Sequence, residues 1–295
     1  MINLGHTPAY ALEAEGLGRR FRRGWALRDC TFTVPPGRIA AMVGANGAGK
    51  STLMKLAVGL LAPTSGSIRV GGARPKSAVA DSRVGFLAQE KPLFGRFTVA
   101  EMLRVGRALN ATWDEQYAKR LVQEADIPMS ARIKTLSGGQ RTRVALALVM
   151  GRRPGLLVLD EPLADLDPLA RRDVLHSLLA EVTDTGTTVL LSSHVLAELE
   201  HACDYLVVMS NGRVILTGSV EDLLTRHHIV TGHDDNGLLR LDAHAVVETR
   251  TTGRQTTALI HARGALPPQW TAGSPTLEEL VLGYLRAETK MEAVR

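Results

Sequence analysis

GANGAGKST (Gly44–Thr52) follows the apolar run IAAMV (Ile39–Val43) and precedes LMKLAVGL (Leu53–Leu60). Strand, glycine loop and helix in that order are the context that the pattern G-x-x-x-x-G-K-[ST] requires. Gly44, Gly47 and Gly49 let the backbone curl so that consecutive N–H groups point inward at phosphate oxygens. Lys50 supplies a point charge for the β- and γ-phosphates and Ser51 offers a hydroxyl to Mg²⁺. Thr52 caps the helix or touches the α-phosphate. The competing reading, a glycine turn beside a surface lysine, leaves the flanking strand and helix unexplained. The stretch predicts a nucleoside triphosphate site in an α/β fold.

A second fragment downstream completes that site. LLVLDEP (Leu156–Pro162) is a short apolar run, as expected of a strand buried on both faces of a parallel sheet. It ends in two carboxylates, which emerge at the carboxyl edge of the sheet where ligands collect. Asp160 suits Mg²⁺, held through its water shell. Glu161 suits a general base for the water that attacks the γ-phosphate. Before Pro162 the same pair also reads as a helix N-cap with a neighbouring acid. Beside a complete phosphate loop, the pair favours hydrolysis over mere binding.

Composition sets the outer bounds. The chain has 295 residues, 45% hydrophobic and 22% charged, as in an ordinary soluble protein of one or two domains. No stretch approaches the roughly 18 uncharged apolar residues needed to span a bilayer. The first sixteen residues, MINLGHTPAYALEAEG, lack the basic and apolar regions of a secretory signal. Cys30 and Cys203 sit beside strand-like runs and read as reduced, buried thiols of a cytosolic protein. A net charge of +5 permits contact with anionic lipid or nucleic acid without arguing for either.

LSGGQRTRVALALVMGRR (Leu136–Arg153) carries a third signal. Ser137 and Gln140 form a capping box in front of an apolar-periodic run. Gly138 and Gly139 lie inside the first turn, where each weakens a helix by roughly 1 kcal/mol. Glycine there leaves backbone N–H groups uncovered at the positive end of the helix dipole, open to an anion. The stretch reads equally as a cap or as a phosphate site.

The order of the motifs adds more than any one of them. VGFLAQEKP places Gln89 just after a strand, LSGGQ follows, then LLVLDEP, LADLDP (Leu163–Pro168) and TVLLSSH ending at His194. From about Ala9 to Leu224 the chain resembles the ATP-binding-cassette (ABC) ATPases. The resemblance implies a P-loop NTPase core, a mostly parallel sheet flanked by helices. It adds an antiparallel β subdomain and a helical signature subdomain over about 93–153. The nucleotide ligands it implies are Gly44, Asn46, Gly47, Gly49, Lys50, Ser51 and Thr52, with ATP and Mg²⁺ as cofactors. It makes Gln89 the sensor of Mg²⁺ and the attacking water, and His194 the switch histidine on the γ-phosphate. Metal ligation falls to Ser51, Gln89 and Asp160.

Phe21, in RRFRRGWALRD, falls where the family stacks a tyrosine on adenine. Phenylalanine keeps the ring face and loses the hydroxyl, and Trp25 is the alternative. In the family the LSGGQ helix contacts the γ-phosphate held by a second cassette. Ser137, Gly138, Gly139 and Gln140 are then ligands of the partner's ATP, and Asp167 is the acid that crosses the interface. Asp165 stands where a small residue is common. One phosphate loop and one signature per chain imply a homodimer or a pair with another cassette.

The resemblance further implies an ATP-hydrolysing transporter subunit at the inner face of the cell membrane, working with separate permease subunits. The EPLADLDPLARR phrasing and the C-terminal extension resemble exporters. A soluble cassette ATPase acting on nucleic acid or the ribosome is the alternative. Such proteins carry long heptad coiled coils or fuse two cassettes, and neither occurs here. A small-molecule kinase has no need of LSGGQ. No direct nucleic acid contact is expected.

The remaining segments complete the outline. Cys30, Phe32 and Val34 alternate with polar residues before Pro35-Pro36-Gly37, and SIRVGG reads similarly, which predicts the antiparallel sheet. YLVVMSNGRVILTG (Tyr205–Gly218) predicts a hairpin turning at Asn211-Gly212, and Ser219 caps a short helix after it. The expected division is a nucleotide-binding domain over 1–227 and a small α+β accessory unit over 228–295. In the latter, AVVETR and QTTALIHAR predict a hairpin, and a Thr276–Glu279 capping box opens a helix with one apolar stripe, Leu277, Leu280, Val281 and Tyr284. His227, His228 and His233 read as linker residues rather than metal ligands. Arg19, Arg20, Arg22 and Arg23 read as a solvated basic face.

Overall fold

Ile39–Val43 forms strand β3, with all five residues buried. A strand with no polar face needs cover on both sides, and β3 lies inside a sheet. The computed structural model describes residues 10–76, 84–193, 199–200, 202–233, 246–253, 255–261 and 270–293. Parallel to β3 on either side run β7 (Thr188–Ser193) and β8 (Tyr205–Ser210). Beyond β7 lie β6 (Leu156–Leu159) and β5 (Val84–Leu87), also parallel. β9 (Arg213–Ser219) folds back antiparallel on β8, giving the order β5-β6-β7-β3-β8-β9. Its turn has Asn211 and Gly212 at φ 48° and 75°, the left-handed pair that a two-residue hairpin requires.

The two faces of this sheet are covered differently. On one side Ala40 and Met42 share a core with Leu53, Met54 and Leu56 of helix α1 (Lys50–Ala57). The antiparallel sheet β2-β1-β4 closes that core. Leu12, Ala14 and Leu17 of β1 (Leu12–Phe21) reach it, with Cys30, Phe32 and Val34 of β2 (Gly24–Val34) and Ile68 of β4 (Ser65–Val70). On the other side Ile39, Ala41, Val43, Leu157 and Leu159 meet Val174, Leu175 and Leu178 of helix α5 (Pro168–Thr185). Cys30 and Cys203 are both free and buried. Burial, reinforced by Asp204, pushes the Cys203 thiol up to about 12, so it stays protonated.

Between β5 and β6 the chain builds a helical layer with its own apolar centre. Helices α2 (Val99–Leu109), α3 (Glu115–Gln123) and α4 (Gly138–Met150) contribute Val99, Met102, Ala118, Val122, Val144 and Ala147 to it. A charged knot ties this layer to α5. The Arg153 guanidinium stacks 3.5 Å from the centre of the Tyr117 ring and meets Asp114 at 3.0 Å and Glu181 at 3.2 Å. Tyr117 also donates its hydroxyl to Glu181, so that buried carboxylate is fully partnered.

The C-terminal part contains more strand than its sequence led us to expect. His227, His228 and His233 belong to β10 (His227–His233), not to a linker. This strand follows directly on helix α6 (Val220–Arg226) and pairs with β12 (Gln255–His261) and β13 (Thr271–Gly273). With β11 (Val246–Thr252) the sheet has the order β11-β12-β10-β13. The expected β11–β12 hairpin is there, and β10 and β13 extend it from sequence-distant positions. Helix α7 (Leu277–Ala293) opens on the Thr276–Glu279 capping box. It places Leu277, Leu280 and Val281, with Leu259, in the same core as Leu206 and Leu223. The extension therefore packs on the unit that carries the phosphate loop.

Candidate functional site

Because β3, β5, β6 and β7 are parallel, their carboxyl ends open at one edge of the sheet. Segments that are far apart in sequence meet there. A cavity of about 290 Å³ is lined by Asn46, Gly47, Gly49, Lys50, Ser51, Thr52, Gln89 and Glu161, together with Ala26 and Ala164.

The amino end of α1 faces this cavity and differs from those of the other described helices named above. Helices α2 to α7 each open on a side-chain cap: Thr98, Asp114, Ser137, Asp167, Ser219 and Thr276. Helix α1 opens on Gly49 with no side-chain cap and no acid in its first turn. Its N–H groups are thus left for an external acceptor, where the helix dipole favours an anion. Gly49 is required at that point. Its φ is 104°, and a Cβ would sit 2.7 Å from Leu27 Cδ2 and 2.9 Å from the Ala26 carbonyl. Thr52 falls inside the first turn and does not cap the helix.

Lys50 lies across the loop, with its ammonium donating to the carbonyls of Gly44 at 2.7 Å and Ala45 at 3.3 Å. Burial pushes its pKa below the ordinary lysine range, while the charges of Glu161 and Asp160 act against that shift. The ammonium is held on backbone oxygens that a phosphate can replace.

The two acids past β6 are set by a residue not singled out from sequence. Ser192, fully buried on β7, accepts the Glu161 N–H at 2.8 Å and donates to Asp160 Oδ1 at 2.9 Å. One hydroxyl thereby ties the Glu161 backbone to the Asp160 carboxylate. Asp160 is 3% exposed, and its own N–H donates to Leu87 of β5 at 2.9 Å. Glu161 takes a left-handed φ of 49°, a strained value for this residue type that the Ser192 bond helps to hold. The available signal was TVLLSS, where an all-buried strand ends in two hydroxyls.

Phe21, Trp25 and Asp167 are not among the residues that line this cavity. Phe21, 42% exposed, ends β1 opposite Gly24, with the Arg19 guanidinium 4.7 Å from the centre of its ring. Ala26 lines the cavity, whereas Phe21 and Trp25 do not. Asp167 caps α5, accepting the Ala170 N–H at 2.9 Å. His194 lies outside the described residues.

Ser137 accepts the Gln140 N–H at 3.1 Å, and Gln140 accepts the Ser137 N–H at 3.1 Å. The cap is therefore complete within one chain. The two glycines behind it are not demanded by the fold. A Cβ on Gly138 would lie 3.5 Å from Asp165, and one on Gly139 would lie 3.3 Å from Leu166 Cδ2. Neither glycine has the positive φ that excludes other residues.

Residues 27–164 match the sequence profile of the family described as ABC transporter. Over 99% of its length the chain is 34% identical to the Nod factor export ATP-binding protein I of Ralstonia nicotianae, covering 94% of that protein. The chain belongs to the ABC transporter family. It is an ATP-hydrolysing subunit of the ABC type. Another relative, the phosphonates import ATP-binding protein PhnC of Bradyrhizobium diazoefficiens, is 34% identical over 73% of this chain and 87% of its own. Among solved structures, an ATP binding subunit of an ABC transporter superposes with a TM-score of 0.66 at 30% identity. It covers 73% of this chain and 92% of its own. A dimeric ABC cassette in a post-hydrolysis state with ADP and Pi shares the fold at TM-score 0.64 and 19% identity, over 71% of this chain and 98% of that one. Among the described residues no helix of this ABC subunit is long and apolar enough to cross a membrane.

Proposed function

We propose that this ABC subunit binds ATP at the uncapped end of α1, pairs with a second copy around two ATP molecules, and drives export through separate permease subunits. The observation that carries the reading is α1 itself, opening without a cap onto a cavity that it shares with Gln89 and Glu161. The backbone of Gly44–Thr52 and the Lys50 ammonium take the phosphates. Glu161 accepts the proton of the attacking water while Gln89 orients that water. His194 completes the set by resemblance, and Phe21 offers a ring face to adenine.

Ser51, Gln89 and Asp160 offer only hard oxygen donors, and Asp160 is held in place by Ser192, so the residues fit Mg²⁺. When bound, Mg²⁺ neutralises charge on the phosphate oxygens. Ser137–Gln140 faces the ATP of the partner copy, which accounts for two glycines that the chain's own fold does not need. Asp167 lies at that interface. Export is favoured over import because the full-length similarity, extension included, is to an export ATPase, while the import relative covers less of the chain. We assign 1–227 to the cassette, with its helical subdomain over about 93–153, and 228–295 to the accessory unit. The position of the protein is at the inner face of the membrane through its permease.

Mixing two inactive chains tests the trans arrangement. Ser137→Arg and Lys50→Ala each abolish ATPase activity alone. In their heterodimer one site carries both lesions and the other carries neither. Restored hydrolysis, up to half of the parent rate per dimer, is the expected result. No rescue from a mixture shown to contain heterodimer means that the signature acts on its own chain's ATP.

A further inference from the structure

β5 and β6 are parallel neighbours, so the loops that leave them run side by side at the mouth of the ATP cavity. The first carries Gln89 in a tight turn, closed by the Lys91 N–H donating to the Ala88 carbonyl at 3.0 Å. The second carries Glu161 in a turn, closed by the Ala164 N–H donating to the Glu161 carbonyl at 3.3 Å. Gln89, Glu161 and Ala164 all line the cavity. An ion pair joins the two loops: Lys91 Nζ donates to Asp165 Oδ2 at 2.6 Å.

The two ends of this pair are built differently. The Lys91 side chain is 7% exposed and that of Asp165 is 61% exposed. A lysine stem laid against the protein delivers its ammonium to an acid at the rim. Lys91 adopts a left-handed φ of 45° there, a conformation uncommon for any residue but glycine. The lysine holds the Asp165 carboxyl below the usual carboxylate range, first by its hydrogen bond and then by its charge, with Arg141 adding to the effect. Asp165 also lies beside the start of the signature helix: a Cβ added at Gly138 would be 3.5 Å from its Cβ and carbonyl oxygen. One acidic residue of the Glu161 loop thus bonds to the Gln89 loop and lies beside the start of α4.

We propose that Lys91 is a positioning residue for ATP hydrolysis, forming with Asp165 a strut that fixes the Gln89 turn against the Glu161 turn. This rests on the roles proposed above for Gln89 and Glu161, which act on the same water. Displacing either by an ångström slows the chemical step, while the grip of the phosphate loop on ATP is unchanged. The strut need not add to global stability, because a partly exposed ion pair contributes little to folding. Its effect is on kcat.

The test uses the full-length chain carrying Lys91→Met, Asp165→Asn, or both, with Glu161→Gln alongside. Each single variant should lower kcat about fivefold or more, with KM and the ATP Kd within about twofold of the parent. The double variant should be no slower than the slower single, because the second change removes a partner already lost. Lys91→Arg, which keeps the charge, should retain most of the parent rate. Singles within twofold of the parent, or losses that multiply in the double, overturn the strut. Should Lys91→Met fail to fold, Asp165→Asn at the exposed end decides. Reduced kcat at unchanged Kd then supports the strut, and a parent-like kcat overturns it. The two assignments fail separately. An active Glu161→Gln removes the base assignment. An inactive one beside parent-like strut variants removes only the strut.

Discussion

Ser192→Ala removes one hydroxyl that makes two hydrogen bonds at a fully buried position. Alanine takes the same space without either bond. The part-buried Glu161 N–H loses its acceptor, at the lower end of the roughly 1–3 kcal/mol that an unsatisfied buried donor costs. Asp160 loses a charge-assisted bond, worth roughly 1.5–3 kcal/mol. A water entering from the nucleotide side offsets part of the sum, so the net loss should be about 2–4 kcal/mol. It should appear as a lower urea midpoint at unchanged slope, since no new surface is exposed. Activity should fall by a separate route. The left-handed turn at Glu161 is held by the same bond. Released, its carboxylate moves, and a shift of about 1 Å lowers kcat on the order of 100-fold. ATP affinity should change by less than about threefold, because the phosphate loop is untouched. A variant within about 0.5 kcal/mol of the parent and within twofold of its kcat would mean that Ser192 does not set the acids.

Three further outcomes are expected. Gly138→Ala should raise the melting temperature, because alanine is better than glycine in a helix by about 1 kcal/mol and the site has room for a methyl group. It should nevertheless lower ATPase activity at least about tenfold by obstructing the partner's phosphate, and unchanged turnover would count against that contact. Burial, helped by the charges of His261 and His228, holds His227 below its ordinary value of 6.5. The folded ring is neutral, so its stabilising contribution is complete above pH 6.5 and is lost as the pH falls toward the lowered native value. Urea midpoints of the parent between pH 8 and 5 should decline more steeply than those of His227→Gln, and parallel curves would exclude this residue. Leu280→Ala, at a site with 0% exposure, should destabilise the protein by about 2–5 kcal/mol without altering ATP affinity. A much smaller loss would mean that the extension does not share the core.

Some of this protein is written locally. The strand-loop-helix at Ile39–Ala57 depends on neighbouring residues, on glycines at strained φ, and on a helix opened without a cap, so a short window of sequence suffices to read it. The Ser137–Gln140 and Thr276–Glu279 boxes and the Asn211-Gly212 hairpin are local in the same sense. Each closes its own hydrogen bonds within four residues. Recognition of the family needed only the order of such fragments.

Strand order is another matter, because parallel pairing joins segments whose separation carries no pattern. The late strand β7 inserts between β6 and β3, and that insertion alone brings Ser192 to Asp160 and Glu161. The same packing sets Lys91 against Asp165 across 74 positions. In the extension, β10 reads as a linker by itself and becomes a strand once β12 and β13 supply its hydrogen bonds. Glycines at Gly138 and Gly139 show the division most clearly. The sequence alone determined that the backbone there is bare. The packing shows that neither is forced by its neighbours: a Cβ at Gly138 makes ordinary contact, one at Gly139 asks the Leu166 side chain to give by a few tenths of an ångström, and neither φ is positive. A backbone left open without internal cause is free for contact with a second molecule, as the proposed pairing of two copies requires.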